Sequence, residues 1–161
     1  MAQPRTKMKK KIWLLLLTSL LFSKNRTVPL DKLYVTPLKI KEKNFNLWLA
    51  LSPKQQHEGL SLLTESDIPL NYGMLFIYPL NAYRTFWMKD MLLNLDIAFI
   101  KEDGVISDIY YSMKKQSMNT FSSTQKVRYV LELKEDILKG LPLHVGDKIV
   151  FPKSISSFSK P

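Results

Sequence analysis

Residues 45–51 alternate strictly, with Phe45, Leu47, Leu49 and Leu51 on one side and Asn46, Trp48 and Ala50 on the other. A period of two is the mark of a β-strand. Residues 127–133 repeat the pattern, and shorter apolar runs at 74–78, 85–89, 95–101, 105–111 and 148–151 predict further strands. Pro79 is expected to close the run at 74–78, and Glu102-Asp103-Gly104 marks a hairpin turn. Residues 85–111 are therefore expected to fold as a meander. Residues 27–44 read as a linker and first strand, where Leu33, Val35, Leu38 and Ile40 are interrupted by Pro37, which suits an edge strand.

Helix signals occur twice. Ser52 with Gln55 three residues on spells a capping box, Pro53 fits the first helical position and Gly59 a stop, so residues 53–58 predict one short helix. Residues 134–139, ending at Gly140, predict another. Residues 60–72 and 112–126 show neither period and read as loops, the second long and polar enough to be mobile or to face a ligand. Residues 152–161 read as a frayed, flexible tail. Many short strands with one or two brief helices predict a mainly β, single-domain β-sandwich or barrel of the jelly-roll kind. A length of 161 residues with 45% hydrophobic content suits one core.

The net charge of +10 changes that picture less than it first suggests. Seven of the 24 cations and none of the 14 acids fall in residues 1–26, which leaves 17 cations against 14 acids. No basic stripe interleaved with aromatics follows, which argues against nucleic acid as a partner. The excess belongs to a leader: Lys7, Lys9, Lys10 and Lys11, an apolar run at 12–22, then Ser23, Lys24, Asn25 and Arg26. That order is an export signal's, and the run falls short of the roughly 20 residues that span a bilayer. Ser23 is the best small residue for cleavage; an uncleaved amino-terminal anchor is the alternative, and either Met1 or Met8 can start the chain. Both readings place the domain in the periplasm or cell envelope, free or held at the inner membrane. The absence of cysteine removes disulfides, thiol catalysis and thiolate metal sites.

Seven motifs run in order across residues 45–151: Glu58-Gly59-Leu60, Gly73-Met74-Leu75-Phe76, Phe86-Trp87-Met88-Lys89, Leu95-Asp96 with Phe99, Asp103-Gly104, Val130-Leu131-Glu132-Leu133 and Gly146-Asp147. Together they resemble the domain of unknown function 192 family of small, often exported bacterial and archaeal proteins. The resemblance implies a compact, mainly β domain behind an export signal and no assigned activity. The chain departs from the family pattern where Met and Arg are replaced by Ser61 and Leu63, Asn-Thr by Asp90-Met91, Pro by Asn94 and Gly by Asp136.

The richest chemistry lies between Arg84 and Ile100, where Trp87, Lys89, Asp90 and Asp96 stand among residues that otherwise spell core. Alternation puts Thr85, Trp87 and Lys89 on one face and Phe86, Met88 and Asp90 on the other. Trp87 is then a stacking platform and Lys89 an anchor for a polar ligand, or Trp87 is packing and Lys89 one half of an ion pair. Asp96 shares a face with Ala98 and Ile100, so it is either paired within a site or caps a turn. Glu132 lies opposite Tyr129, Leu131 and Leu133, and Glu58 ends the first helix. The candidate ligand-binding residues are therefore Trp87, Lys89, Asp96, Glu132 and Glu58. His57 and His144 lack metal spacing, and no nucleophile elbow or phosphate loop occurs, so no metal or cofactor is expected. The leading expectation is a monomeric, non-catalytic envelope module binding a glycan fragment, a small polar metabolite or a partner segment. The alternatives are an enzyme using Lys89 with Asp96, Glu132 or Glu58 in acid–base chemistry, and a purely structural domain.

Overall fold

A computed structural model of the chain describes residues 26–158, so nearly all of the predicted leader lies outside the described residues. Eight strands form two sheets among them: β1 (Val35–Ile40), β2 (Lys43–Ala50), β3 (Tyr72–Ala82), β4 (Thr85–Trp87), β5 (Leu95–Ile100), β6 (Ile106–Met113), β7 (Thr120–Ser122) and β8 (Val127–Lys134). Two short helices, α1 (Pro53–Glu58) and α2 (Lys153–Phe158), complete the fold. The larger sheet has the order β1-β2-β3-β8-β5-β6 and stays open, while β4 and β7 pair by themselves. The described residues are thus mainly β, and their sheets do not close into a barrel. Pro37 sits on edge strand β1, where a missing N–H is harmless.

Alternation along β2 and β8 sorts residues into two buried layers, since the sheet is covered on both sides. Leu47, Leu49, Leu75, Leu131 and Leu133 pack with Leu138, Leu143, Ile149 and Ile155 from the carboxyl-terminal segment. On the other face Trp48, Met74, Phe76, Ile97 and Val130 pack with Leu60, Leu63, Ile68 and Met88 from the connections. β2 and β3 are parallel, which requires a crossover, and α1 with the segment after it supplies one. Ser52 accepts the Gln55 N–H at 3.3 Å while the Gln55 side chain takes the Ser52 N–H at 2.8 Å, so the capping box forms as its sequence spells. Among the described residues no helix is long and apolar enough to cross a membrane.

Several local expectations are overturned. β3 continues through Pro79 to Ala82, with its pairing to β8 interrupted between Ile77 and Ala82 so that no ladder bond is asked of the proline. Of the meander from 85 only the hairpin of β5 and β6 forms, because β4 leaves the main sheet for β7 and pairs Trp87 with Thr120. Residues 112–126 are therefore partly structured, carrying the end of β6 and all of β7. Lys134 ends β8 and residues 135–139 make turns rather than a helix, since the Asp96 carboxylate takes the Leu138 N–H at 2.9 Å. The expected strand at 148–151 shrinks to a single bridge between Val105 and Lys148. The tail does not fray throughout: α2 forms, and its Ile155 is fully buried.

An aromatic ladder ties the small sheet to the large one. Phe86 meets Phe76 at 5.0 Å and Phe99 at 5.7 Å, and Tyr110 meets Phe99 at 5.9 Å and Phe121 at 5.3 Å, all edge to face. Such pairs add about 1 kcal/mol each beyond the area they bury. The ladder fixes where β4 delivers Trp87.

Candidate functional site

β8 carries three ionisable side chains on one face, Arg128, Glu132 and Lys134, each less than a tenth exposed. The outer two have partners at the rim. Arg128 pairs with Glu102 at 2.8 Å and Lys134 with Glu65 at 3.3 Å. Glu132 in the middle is flanked across the sheet by Met74 and Ile97, both apolar and buried. The Leu60 N–H donates to its carboxyl, but Oε2 has no hydrogen-bond partner. Burial dominates, and the Leu60 N–H and the more distant Arg26 charge offset it only in part, so the Glu132 pKa rises to about 8. Near neutrality this carboxyl is largely protonated.

Above Glu132 the end of α1 folds over the sheet. Gly59 makes this possible: its φ is +51°, and a Cβ there would lie 3.2 Å from Phe76 Cζ and 3.5 Å from Glu132 Oε2. Just before it, the Glu58 side chain is only 9% exposed, and its oxygens accept the Thr27 N–H at 2.6 Å and the Val28 N–H at 2.8 Å. Arg26 stands 3.6 Å from Glu58 and donates to the Ser61 carbonyl at 2.7 Å. Burial pushes the Glu58 carboxyl up, yet these N–H donors and the Arg26 charge together hold it below its ordinary value. Glu58 is thus ionised and pins residues 26–28, while Glu132 is neutral.

From the other side comes β4. Phe86 turns inward and Trp87 outward, as alternation predicts, and Trp87 is 46% exposed. The Lys89 ammonium lies over its indole, 5.1 Å from the ring centroid. Trp87, Lys89, Glu58 and Glu132 together line a cleft of about 170 Å³, to which Tyr78 and Phe86 also contribute. Burial raises the Tyr78 hydroxyl well above its usual range, keeping it a neutral donor and acceptor, and the Arg84 guanidinium stacks 3.6 Å from its ring centroid.

Asp96 does not join them. It faces the opposite side of the sheet with Ala98, fully buried, and its carboxylate accepts the Ser112 N–H and the Leu138 N–H at 2.9 Å each. Burial raises its pKa and the backbone donors pull it back only in part. Asp96 is a capping residue. Tyr78, Gly59 and Arg26 were not singled out as site residues from the sequence, and only the turn-forming glycine carried a local signal. Among the described residues no three His, Asp or Glu side chains group closely enough to hold a metal ion.

The fold has solved counterparts. A proposed transcription regulator from Sinorhizobium meliloti 1021 is 30% identical, with a TM-score of 0.65 over 71% of this chain and 89% of its own. A protein of unknown function from Novosphingobium aromaticivorans DSM 12444 is 23% identical, with a TM-score of 0.69 over 77% of this chain and 90% of its own. No curated protein matches the chain significantly. The model of the DUF192 family, described as "Uncharacterized ACR", matches residues 35–151, and the chain belongs to that family.

Proposed function

We propose that the chain is a non-catalytic module that binds a small, neutral, hydroxyl-rich ligand, a sugar ring, in the cleft between Trp87 and Glu132. The observation that carries this reading is the unpartnered Oε2 of a buried carboxyl beside the cleft. A buried polar atom without a partner is costly, and a ligand hydroxyl would remove that cost. A protonated acid both donates and accepts, as a hydroxyl does, and an exposed indole offers the flat apolar face that a pyranose presents in turn. Acid–base catalysis fits less well, because Glu58, the other carboxylate lining the cleft, already has both oxygens engaged. The regulator name of the Sinorhizobium protein finds little support, since the charge beyond the leader is nearly balanced. We take the leader to direct export, so the ligand would be met in the envelope.

The test is tryptophan fluorescence of the full chain titrated with glucose, N-acetylglucosamine and their β-1,4-linked oligomers. Saturable quenching in the parent, lost in Glu132→Leu and in Trp87→Phe, is expected. Absence of any saturable response, by fluorescence or by calorimetry, would sink the proposal.

A further inference from the structure

We propose that the ligand is a chain of at least two sugar rings, laid across Trp87 with one ring in each of two adjoining clefts. This rests on the sugar-binding reading above. A second cleft of about 270 Å³ abuts the first, and His57, Glu58, Ser61, Trp87 and Lys89 line both. Trp87 and Lys89 therefore form a wall common to the two spaces. Each volume alone falls below the roughly 300 Å³ at which sites for larger single ligands begin. A single ring takes the first space, beside the Glu132 carboxyl, and a linked pair uses both.

The two halves differ in chemistry. The first is lined by the neutral Glu132 carboxyl and by Tyr78, a polar end suited to a terminal ring. The second is bordered by Lys54, Leu62 and Asp90 and shows charge on both signs, a setting for hydroxyls that stay in contact with water. Its backbone is also shaped at some cost. Leu62 and Asp90 both adopt left-handed conformations, with φ of 64° and 61°, and the Leu62 N–H donates to the Asp90 carbonyl at 3.1 Å. Non-glycine residues held there persist where surrounding structure over-determines them, often at binding surfaces. Here the pair holds together two segments that border the second cleft.

The experiment is calorimetric titration of the full chain with N-acetylglucosamine and glucose, and with the β-1,4-linked dimer and trimer of each. In the best-matched series the dimer should bind at least about tenfold tighter than the monomer, with little further gain for the trimer. Lys54→Ala, an exposed change in the second cleft, should weaken the dimer at least about threefold and leave the monomer unchanged. Equal affinity for monomer and dimer would overturn the two-ring inference while leaving the binding reading standing. A tighter dimer that ignores Lys54→Ala would also overturn it, since the second ring would then lie elsewhere. Failure of every sugar to bind would remove both proposals together.

Discussion

Replacing Glu132 with Gln tests the electrostatics of the site directly. Glutamine keeps the shape, can still accept the Leu60 N–H, and cannot ionise. In the folded chain Glu132 titrates at about 8 against an ordinary 4.5, so the folded state holds its proton more tightly than the unfolded state does. Its protonation therefore stabilises the fold fully below about pH 4.5, and that stabilisation is lost as pH rises toward 8. Over the whole interval of 3.5 units, at about 1.4 kcal/mol per unit, the change approaches 5 kcal/mol as an upper bound. Between pH 5 and 7 it amounts to about 2 to 3 kcal/mol. Urea unfolding of parent and Glu132→Gln at half-unit steps from pH 5 to 9 isolates this group, because every other titration cancels in the difference. The parent should lose ground steadily to the variant up to pH 8 and run parallel to it above. A difference that stays flat from pH 5 to 8 would show that Glu132 is already ionised in the fold, and the neutral donor at the cleft floor would be refuted.

Asp96→Ala should cost about 3 kcal/mol, because it leaves the part-buried Ser112 and the buried Leu138 N–H groups without their acceptor, yet sugar affinity measured well below the lowered melting temperature should not move. Gly73→Ala should destabilise by more than about 3 kcal/mol or prevent folding, since its Cβ would come within 2.5 Å of the Glu132 carbonyl in the neighbouring strand; thermal denaturation reads this out. Trp87→Ala, at a side chain nearly half exposed, should change stability by less than about 1 kcal/mol while removing the ligand response, and a large fall in melting temperature would make Trp87 a packing residue instead.

The strands most legible in the sequence are the long ones, in which a period of two shows although both faces are buried. β2 and β8 are of this kind: the side on which Leu47 or Leu131 sits follows from a period of two, whatever the neighbours are. The capping box at Ser52 is legible for another reason, since donor and acceptor are three residues apart and need nothing distant. What fails is whatever a long-range partner decides. Residues 134–139 carry a helical pattern, but Asp96, some forty residues away in sequence, captures the Leu138 N–H that a helix would use. Thr85 to Trp87 reads as one strand of a meander, and only the pairing of Phe86 with Phe121 shows that it belongs to a second sheet. The site divides in the same way. The outward face of Trp87 and Lys89 is local and was readable, whereas Asp96 and Glu132 each alternate correctly but point to opposite sides of the sheet, which no single-strand pattern reveals.

Packing alone does not account for Glu132. Its cross-strand neighbours Met74 and Ile97 and the Phe76 ring would accept a leucine or methionine of similar volume, which would need no proton, and the one group left behind would be the Leu60 N–H. Arg128 and Lys134, on the same face, reach rim carboxylates and so have a structural reason to be charged. Glu132 has one donor, Leu60, and one buried oxygen without a hydrogen-bond partner. A side chain that makes its own strand less stable near neutral pH, in a position where apolar residues fit, is best accounted for by what it does when the cleft is filled. The geometry around it agrees: Gly59 brings the helix end close, the aromatic ladder holds β4 in place, and Trp87 is left exposed rather than folded inward. These are independent local choices, and they border the same cleft.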